Sequence, residues 1–409
     1  MVLDLPDLIL PPTTVVTVEP TGQWVDNDNC GDGQPYEAEG KLHLAFRSGR
    51  GVTPGGQYRT CPDPGSPFSG WGPITPSLSA PTKAFQSAHA TDAVNLDSFV
   101  TIRNPATGLY TVLYSCKPGS VTEMQTGFVS TIKRRTSMAP TPSPGSWTSY
   151  GAEHLIQVDP VATWEGPYVA VGPSQMAGGI EEPSIVGPID GEYIAFYVGK
   201  DAEDADPFGE TLRFRIGRAT CPAAVFDSAP VFTRTPAAGP TSYVFAPVEH
   251  GADGAYGFTN GTAVNGTSNS VLQPHVSVDA DGVFHLIRKG YKPNTGQGLV
   301  NATEGLYHHY SLDKGLTWTA DSRNPILLPS DFGFNFENGI ANKFNSPGLL
   351  WQANRVILFV WGGQDGANSP GSRLYGITMN LSVAAVVTGV LPGMNRTRGD
   401  RVLKQFYLH

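Results

Sequence analysis

The chain of 409 residues predicts an all-β fold, a five-bladed β-propeller. Three observations carry that expectation: one hairpin turn that recurs five times, further strands that recur around it, and a composition rich in turn formers. The turns are Glu39-Gly40-Lys41-Leu42, Thr107-Gly108-Leu109-Tyr110, Asp190-Gly191-Glu192-Tyr193, Asp281-Gly282-Val283-Phe284 and Ala353-Asn354-Arg355-Val356. Each places Gly, or Asn in the last, where a tight hairpin needs left-handed backbone, and each leads into an apolar run. Self-similarity at a spacing larger than one hairpin and smaller than a domain means radial or solenoid repetition.

The strands after the turns (42–46, 110–114, 193–197, 284–287 and 356–360) read as mostly buried. Strands before the turns are seen in Glu182-Pro183-Ser184-Ile185-Val186, Gln273-Pro274-His275-Val276-Ser277-Val278 and Ser346-Pro347-Gly348-Leu349-Leu350, with Pro near the start, where no ladder donor is lost. A third element recurs as Tyr58-Arg59-Thr60-Cys61-Pro62, Arg218-Ala219-Thr220-Cys221-Pro222 and Tyr310-Ser311-Leu312-Asp313. Four-stranded blades of this kind leave short, protected edges. With Gly 48 and Pro 35, many Thr and Val, and few long Ala/Leu/Glu/Lys stretches, the composition suits a turn-rich β chain. No linker marks a boundary, so one propeller over residues 22–390 is expected, flanked by an extended arm (1–21) and a tail (391–409).

The net charge of −9, with no basic stripe, disfavours a nucleic-acid partner. The clusters Lys133-Arg134-Arg135 and 396–404 read as solvated loop or tail charge. Cys30, Cys61, Cys116 and Cys221 are too few for a disulfide framework and lack zinc spacing. Cys61 and Cys221 hold the same place in two different blades and are expected to be unbonded thiols. The start of the chain has no basic n-region, and Asp and Pro break its short apolar run, so neither a signal peptide nor a membrane span is expected. That reading points to a cytoplasmic or virion-associated protein, and three Asn-x-Thr sequons at Asn260, Asn265 and Asn301 are read as chance. Apolar residues in both tails, Leu3 to Leu10 and Val402 to Leu408, predict that a terminus packs on a partner chain or across the propeller rim.

A propeller carries its ligand site at one end of the axis, on the innermost strands. Gly179-Ile180-Glu181-Glu182-Pro183-Ser184-Ile185-Val186, followed by Asp190-Gly191-Glu192-Tyr193-Ile194-Ala195-Phe196-Tyr197, resembles the propellers of glycoside hydrolase family 43 and its relatives in families 32, 62 and 130. There an Ile-Glu-x-Pro strand presents the general acid, and the resemblance gives Glu181 that role. The family's first-blade base is an Asp directly before Pro. Its nearest equivalent is Asp32, ahead of Gly33-Gln34-Pro35, with Asp26 and Asp28 as competitors. Asp97 stands where the family has the Asp that orients the acid and tunes its pKa, with Ser98 in place of the usual Pro. His275 resembles the axial His that sits beside a central Ca²⁺ or water. No cofactor is required on this reading, and a structural Ca²⁺ on the axis is the one ion it implies. The architectural resemblance spans residues 22–380, and the third-blade motif is its specific part.

The chemistry is coherent. Glycoside hydrolysis needs one carboxylic acid to protonate the leaving oxygen and a carboxylate to activate water, and a gap of roughly 6.5–9.5 Å between them gives inversion. Carboxylates converging on an axis repel, so one pKa rises and that group can serve as the acid. Glu165, with the same Glu-x-Pro spacing, is the reserve acid. Arg47 and Arg288 are candidates to pair with these acids or to contact substrate, and Trp24 and Trp164 to stack on sugar rings. Ser311-Leu312-Asp313-Lys314-Gly315-Leu316-Thr317-Trp318 is an Asp-box, as in sialidases, whose work is to hold a turn. His308 and His309 are adjacent on a strand, point to opposite faces, and cannot share one ion.

Two functions of different class follow from this reading. One is a glycoside hydrolase acting on carbohydrate. The alternative is a non-catalytic glycan-binding or structural virion protein, such as a bacteriophage minor tail or receptor-binding protein.

Overall fold

A computed structural model describes residues 8–17, 33–48, 55–66, 71–72, 96–116, 131–141, 148–149, 155–165, 169–172, 175–177, 179–201, 213–246, 272–292, 303–321, 324–327, 342–352, 355–364 and 373–381. The first strand, β1 (Leu8–Thr17), belongs to the last sheet. The first sheet is β2 (Pro35–Ala38), β3 (Lys41–Ser48) and β4 (Gly55–Cys61). The second is β5 (Leu96–Arg103), β6 (Tyr110–Cys116), β7 (Thr131–Ser137) and β8 (Thr148–Ser149). A separate hairpin, β9 (Val169–Gly172) with β10 (Gln175–Ala177), precedes the third sheet of β11 (Ile180–Ile189), β12 (Glu192–Asp201), β13 (Arg213–Pro222) and β14 (Thr233–Arg234). The fourth is β15 (Leu272–Val278), β16 (Phe284–Lys292), β17 (Thr303–Ser311) and β18 (Thr319–Ala320). The fifth joins β19 (Asn342–Gln352), β20 (Arg355–Gln364), β21 (Arg373–Leu381) and, on its outer edge, β1.

All pairings within these sheets are antiparallel, and the expected turns at 39–40, 107–108, 190–191 and 281–282 each join the first strand of a sheet to the second, while residues 353–354 of the fifth lie outside the described residues. The sheets close into a ring, because five apolar clusters fill the five seams between neighbours. Second strands serve two seams at once. On β12, Tyr193, Ala195 and Tyr197 enter the seam toward the second sheet, while Ile194 and Phe196 enter the seam toward the fourth. On β20, Val356, Leu358 and Val360 face the fourth sheet and Ile357 and Phe359 the first. Burial on both faces explains why these strands read as continuous apolar runs instead of alternating ones. The fold is a β-propeller, and no helix among the described residues is long and apolar enough to cross a membrane.

Turns from one side of every sheet meet on a common face. The Asp227 carboxylate, after β13, accepts from Asn104 Nδ2 at 2.8 Å and Thr107 Oγ1 at 2.5 Å in the second-sheet turn. Lys314 pairs with Asp190 at 2.5 Å, Tyr36 OH donates to the Pro140 carbonyl at 2.6 Å, and Gln352 Nε2 donates to the Pro64 carbonyl at 2.8 Å. The turn after β17 holds itself. Asp313 Oδ1 accepts from the Leu316 and Thr317 amides at 3.1 and 2.9 Å, and Ser311 Oγ accepts from the Gly315 amide at 2.8 Å. Gly315 sits at φ +80°, and a Cβ there would lie 2.5 Å from Phe196 Cζ, so neither its conformation nor its neighbour admits a side chain.

One expectation is corrected here. Lys133, Arg134 and Arg135 are not loop charge: they form the buried middle of β7, where Arg134 Nη1 donates to the Phe226 carbonyl at 2.9 Å and the Arg135 guanidinium lies 5.7 Å from the Tyr114 ring. Long aliphatic stems and a stackable head let such residues line a seam. The described part of the N-terminal arm, Leu8–Thr17, is the edge strand beside β21, and the C-terminal tail lies outside the described residues. As expected, Cys61 and Cys221 lie in different sheets and form no disulfide, and neither does Cys116.

Packing at the third sheet is tight enough to test. A Cβ on Gly199 of β12 would sit 2.3 Å from Trp164 Cζ3. Gly199→Ala should therefore cost about 1–3 kcal/mol by overpacking, read as a lower urea midpoint with unchanged slope.

Candidate functional site

The innermost strands carry one shared irregularity. From Glu181 to Ser184, three steps on β11 oppose two on β12, Val198 to Phe196. The same extra residue occurs between Asp97 and Val100, between Leu272 and His275, and between Asn345 and Gly348. Each is a β-bulge near the start of an innermost strand, a device that re-aims side chains and is frequent beside active sites. Asp97 and Glu181 thus hold the same place, one residue before the bulge, on neighbouring strands. Ser98 and Glu182, which follow them, both have φ of 54°. Left-handed backbone at residues that are not glycine is a strained state held by its surroundings. Part of that hold is visible: the Glu182 amide donates at 2.7 Å to the hydroxyl of Ser115, which lies opposite Asp97 on β6. Glu181 is 2 % exposed, so its carboxyl is withdrawn from bulk water.

His275 follows the bulge of β15 and is buried, with Nδ1 2.7 Å from Gln34 Oε1. Burial lowers its pKa to about 4 against an opposing contribution from the Leu349 backbone, so the ring is neutral at pH 7 and Nδ1–H donates to the amide oxygen. The sign of the linkage follows. An unfolded His of ordinary pKa binds a proton below about pH 6.5 that the folded ring refuses until about pH 4, so stability is lost as pH falls across that window. The loss should total roughly 3 kcal/mol. Urea midpoints at pH 7.5, 5.5 and 4.5 should decline in the wild type, and His275→Gln should flatten much of that decline.

Gln34 and His275 also line an axial cavity of about 360 Å³, together with Val100, Thr101, residues 185–189, residues 276–278 and Leu349. These residues follow the bulges, so the cavity occupies the half of the axis nearer the turns and does not include Glu181 or Asp97. The chemistry of the bulge end and this cavity are therefore separate. The cavity lining is also a poor fit to Ca²⁺. It offers a neutral imidazole, an amide and two hydroxyls but no carboxylate, whereas Ca²⁺ takes six to eight oxygens, commonly with carboxylates among them. Among the described residues no group of three or more His, Cys, Asp or Glu is placed to hold a metal ion.

Two predicted ligand contacts are corrected. Trp164 is 1 % exposed, stacks on Tyr197 at 6.0 Å and donates from Nε1 to Ser242 Oγ at 3.0 Å, so it is seam core and not a sugar platform. Arg288 is equally buried. Its guanidinium lies 4.7 Å from the Tyr307 ring and 5.0 Å from the Phe245 ring, and Nε donates to His309 Nε2 at 3.2 Å. The reserve acid is excluded by its bonds. The fully buried Glu165 carboxylate accepts from Arg234 Nε and Nη2 at 2.8 and 2.6 Å, from Tyr197 OH at 2.8 Å and from the Asp159 amide at 2.8 Å. Trp24, Asp26, Asp28 and Asp32 lie outside the described residues, and Arg47 and Asp97 are placed only as backbone positions, of β3 opposite Gly56 and of β5 opposite Ser115.

His308 and His309 point into different surroundings. His308 Nδ1 meets Asp321 Oδ2 at 2.9 Å and its Nε2 meets His285 Nδ1 at 3.0 Å, while His309 faces Phe245 and Arg288. Gln34 and Ser115 were not marked in the sequence as site residues. For Gln34 a signal existed, since it directly precedes Pro35, where the resemblance has its Asp.

No protein-family model matches the chain, and no curated protein does. Solved structures are similar to it throughout. One is a structure from the family 130 of mannoside phosphorylases, which contains glycoside hydrolases that target β-1,2 mannosidic linkages in Candida mannan (TM-score 0.52, 12% identity, 91% of this chain and 96% of that one). Another is the catalytic domain of the Coprinopsis cinerea family 62 α-L-arabinofuranosidase (TM-score 0.51, 11% identity, 91% and 97%). A third is a thermostable family-43 glycoside hydrolase (TM-score 0.50, 11% identity, 90% and 92%). At such identity the likeness is one of fold: the chain shares the β-propeller architecture of these glycoside hydrolases.

Proposed function

We propose that this protein is a glycan-engaging propeller of the glycoside hydrolase kind, with Glu181 as general acid, Asp97 as the carboxylate that orients it and raises its pKa, and Asp32 as the base. The observation that carries the reading is the shared bulge, which sets Asp97 and Glu181 at one level on adjacent innermost strands, joined through Ser115. On this reading Asp97 would supply the second carboxylate, and a buried carboxyl with such a neighbour stays protonated near neutral pH. In the reaction Glu181 would give its proton to the glycosidic oxygen as the bond to the anomeric carbon breaks. The base would take a proton from the water that attacks the opposite side. The purified protein, assayed on aryl glycosides of arabinose, xylose, galactose and mannose, should release the phenol at a rate that Glu181→Gln and Asp97→Asn both reduce.

One observation favours a second reading, a non-catalytic glycan-binding propeller such as a virion receptor-binding protein. Directly before Pro35, where the resemblance requires an Asp, stands Gln34, whose amide is bonded to His275. On that reading no aryl glycoside is turned over, and glycan-array binding survives Glu181→Gln.

A further inference from the structure

Five of the six large apolar side chains exposed among the described residues lie in one kind of turn, the connection from third to fourth strand. They are Met138 in the second sheet, Val225 and Val231 in the third, and Leu312 and Leu316 in the fourth, with Met138 and Val231 each 68 % exposed. Apolar residues scattered singly need no explanation, but a set repeated over three consecutive blades on one face does. The same face is acidic. Glu37, Glu39, Asp63 and Asp281 are exposed there, as is Asp190, which Lys314 partly neutralises, while Lys41 and Arg103 are the exposed cations.

The direction of the last sheet says what lies nearest. β19 runs toward this face, β20 runs away from it, and β21 returns, so Leu381 ends on the turn face and the rest of the chain departs from there. That remainder has the complementary chemistry. Residues 396–408 carry Arg396, Arg398, Arg401 and Lys404 against the single Asp400, followed by the apolar Val402, Leu403, Phe406, Tyr407 and Leu408. The intervening stretch from Leu381 to Arg396 reaches up to ~50 Å when extended, comparable to the diameter expected for a domain of this length.

We infer that the turn face of the propeller is the docking site of this chain's own C-terminal segment, residues 396–408, its apolar side chains on the exposed turns of the second to fourth sheets and its cations on the acidic rim. The glycan site proposed above is at the bulge end of the axis, opposite this face, so the docking does not depend on it.

Limited trypsinolysis of the full chain, followed by mass spectrometry, tests it at the segment's own Arg396, Arg398, Arg401 and Lys404. Cleavage there should be slow in the wild type at low salt. It should be at least about tenfold faster in Leu312→Ser/Leu316→Ser, the loss expected when the docked state forfeits a buried leucine. High salt should also speed it, because exposed charge pairs are screened. The wild-type rate should not change with protein concentration. Equal cleavage in wild type and variant would overturn the proposal. Protection that grows with concentration would also overturn it, by assigning the face to the tail of a second copy.

Discussion

Glu181→Gln should lower glycoside turnover by roughly 10²–10⁴-fold, the range for losing a general acid, while leaving the urea midpoint close to that of the wild type. The amide keeps the size of the carboxyl in a site that is 2 % exposed, so packing around it is preserved and only the proton is lost. Substrates with highly acidic leaving groups need little protonation, and the loss on them should be smaller. Asp97→Asn provides the second arm. A neighbouring carboxylate raises the pKa of an acid, so removing it should move the basic limb of the pH–rate profile to lower pH. A merely structural Asp97 would change stability without moving that limb. Turnover unchanged in Glu181→Gln would remove Glu181 from the role of acid, and turnover absent in the wild type with glycan binding retained would favour the non-catalytic reading.

How much of this was legible in the sequence depends on whether the signal was local. The turns were legible because the conformation each one needs is written at one position: Gly40, Gly108, Gly191 and Gly282 all have positive φ. The second strands were legible because burial on both faces leaves an uninterrupted apolar run. Lys133, Arg134 and Arg135 were misread because charge normally reports exposure, and only the fold shows Tyr114 and the Phe226 carbonyl waiting for them. The bulges were invisible as such, although the X-Pro pairs in Glu182-Pro183, Gln273-Pro274 and Ser346-Pro347 mark three of them. Long-range partners left no trace. Gln34 and His275 are 241 residues apart, and Glu165 and Arg234 are 69 apart. Trp164-Glu165-Gly166-Pro167 therefore resembled an acid motif while being the anchor of a seam.

That anchor carries the other large effect. Arg234→Ala should destabilise the propeller by about 3–5 kcal/mol, the cost of leaving a buried carboxylate without its cation. Glu165 is fully buried, and two of its four hydrogen bonds come from the Arg234 guanidinium, whose side chain is 14 % exposed. Burial works against the guanidinium's charge, yet the bonds to Glu165 more than offset it and hold the Arg234 pKa above its ordinary value. Arg234 Nη2 also donates to the Gln157 carbonyl, so its loss frees the 155–165 segment that packs Trp164 against the third sheet. Glu165→Gln should cost less than Arg234→Ala, because the neutral amide can still accept from Tyr197 OH and the Asp159 amide. Glycoside turnover per folded molecule should be unaffected by Glu165→Gln. A drop in turnover with an unchanged urea midpoint would return Glu165 to the position of acid, and an Arg234→Ala midpoint equal to that of the wild type would refute the anchor.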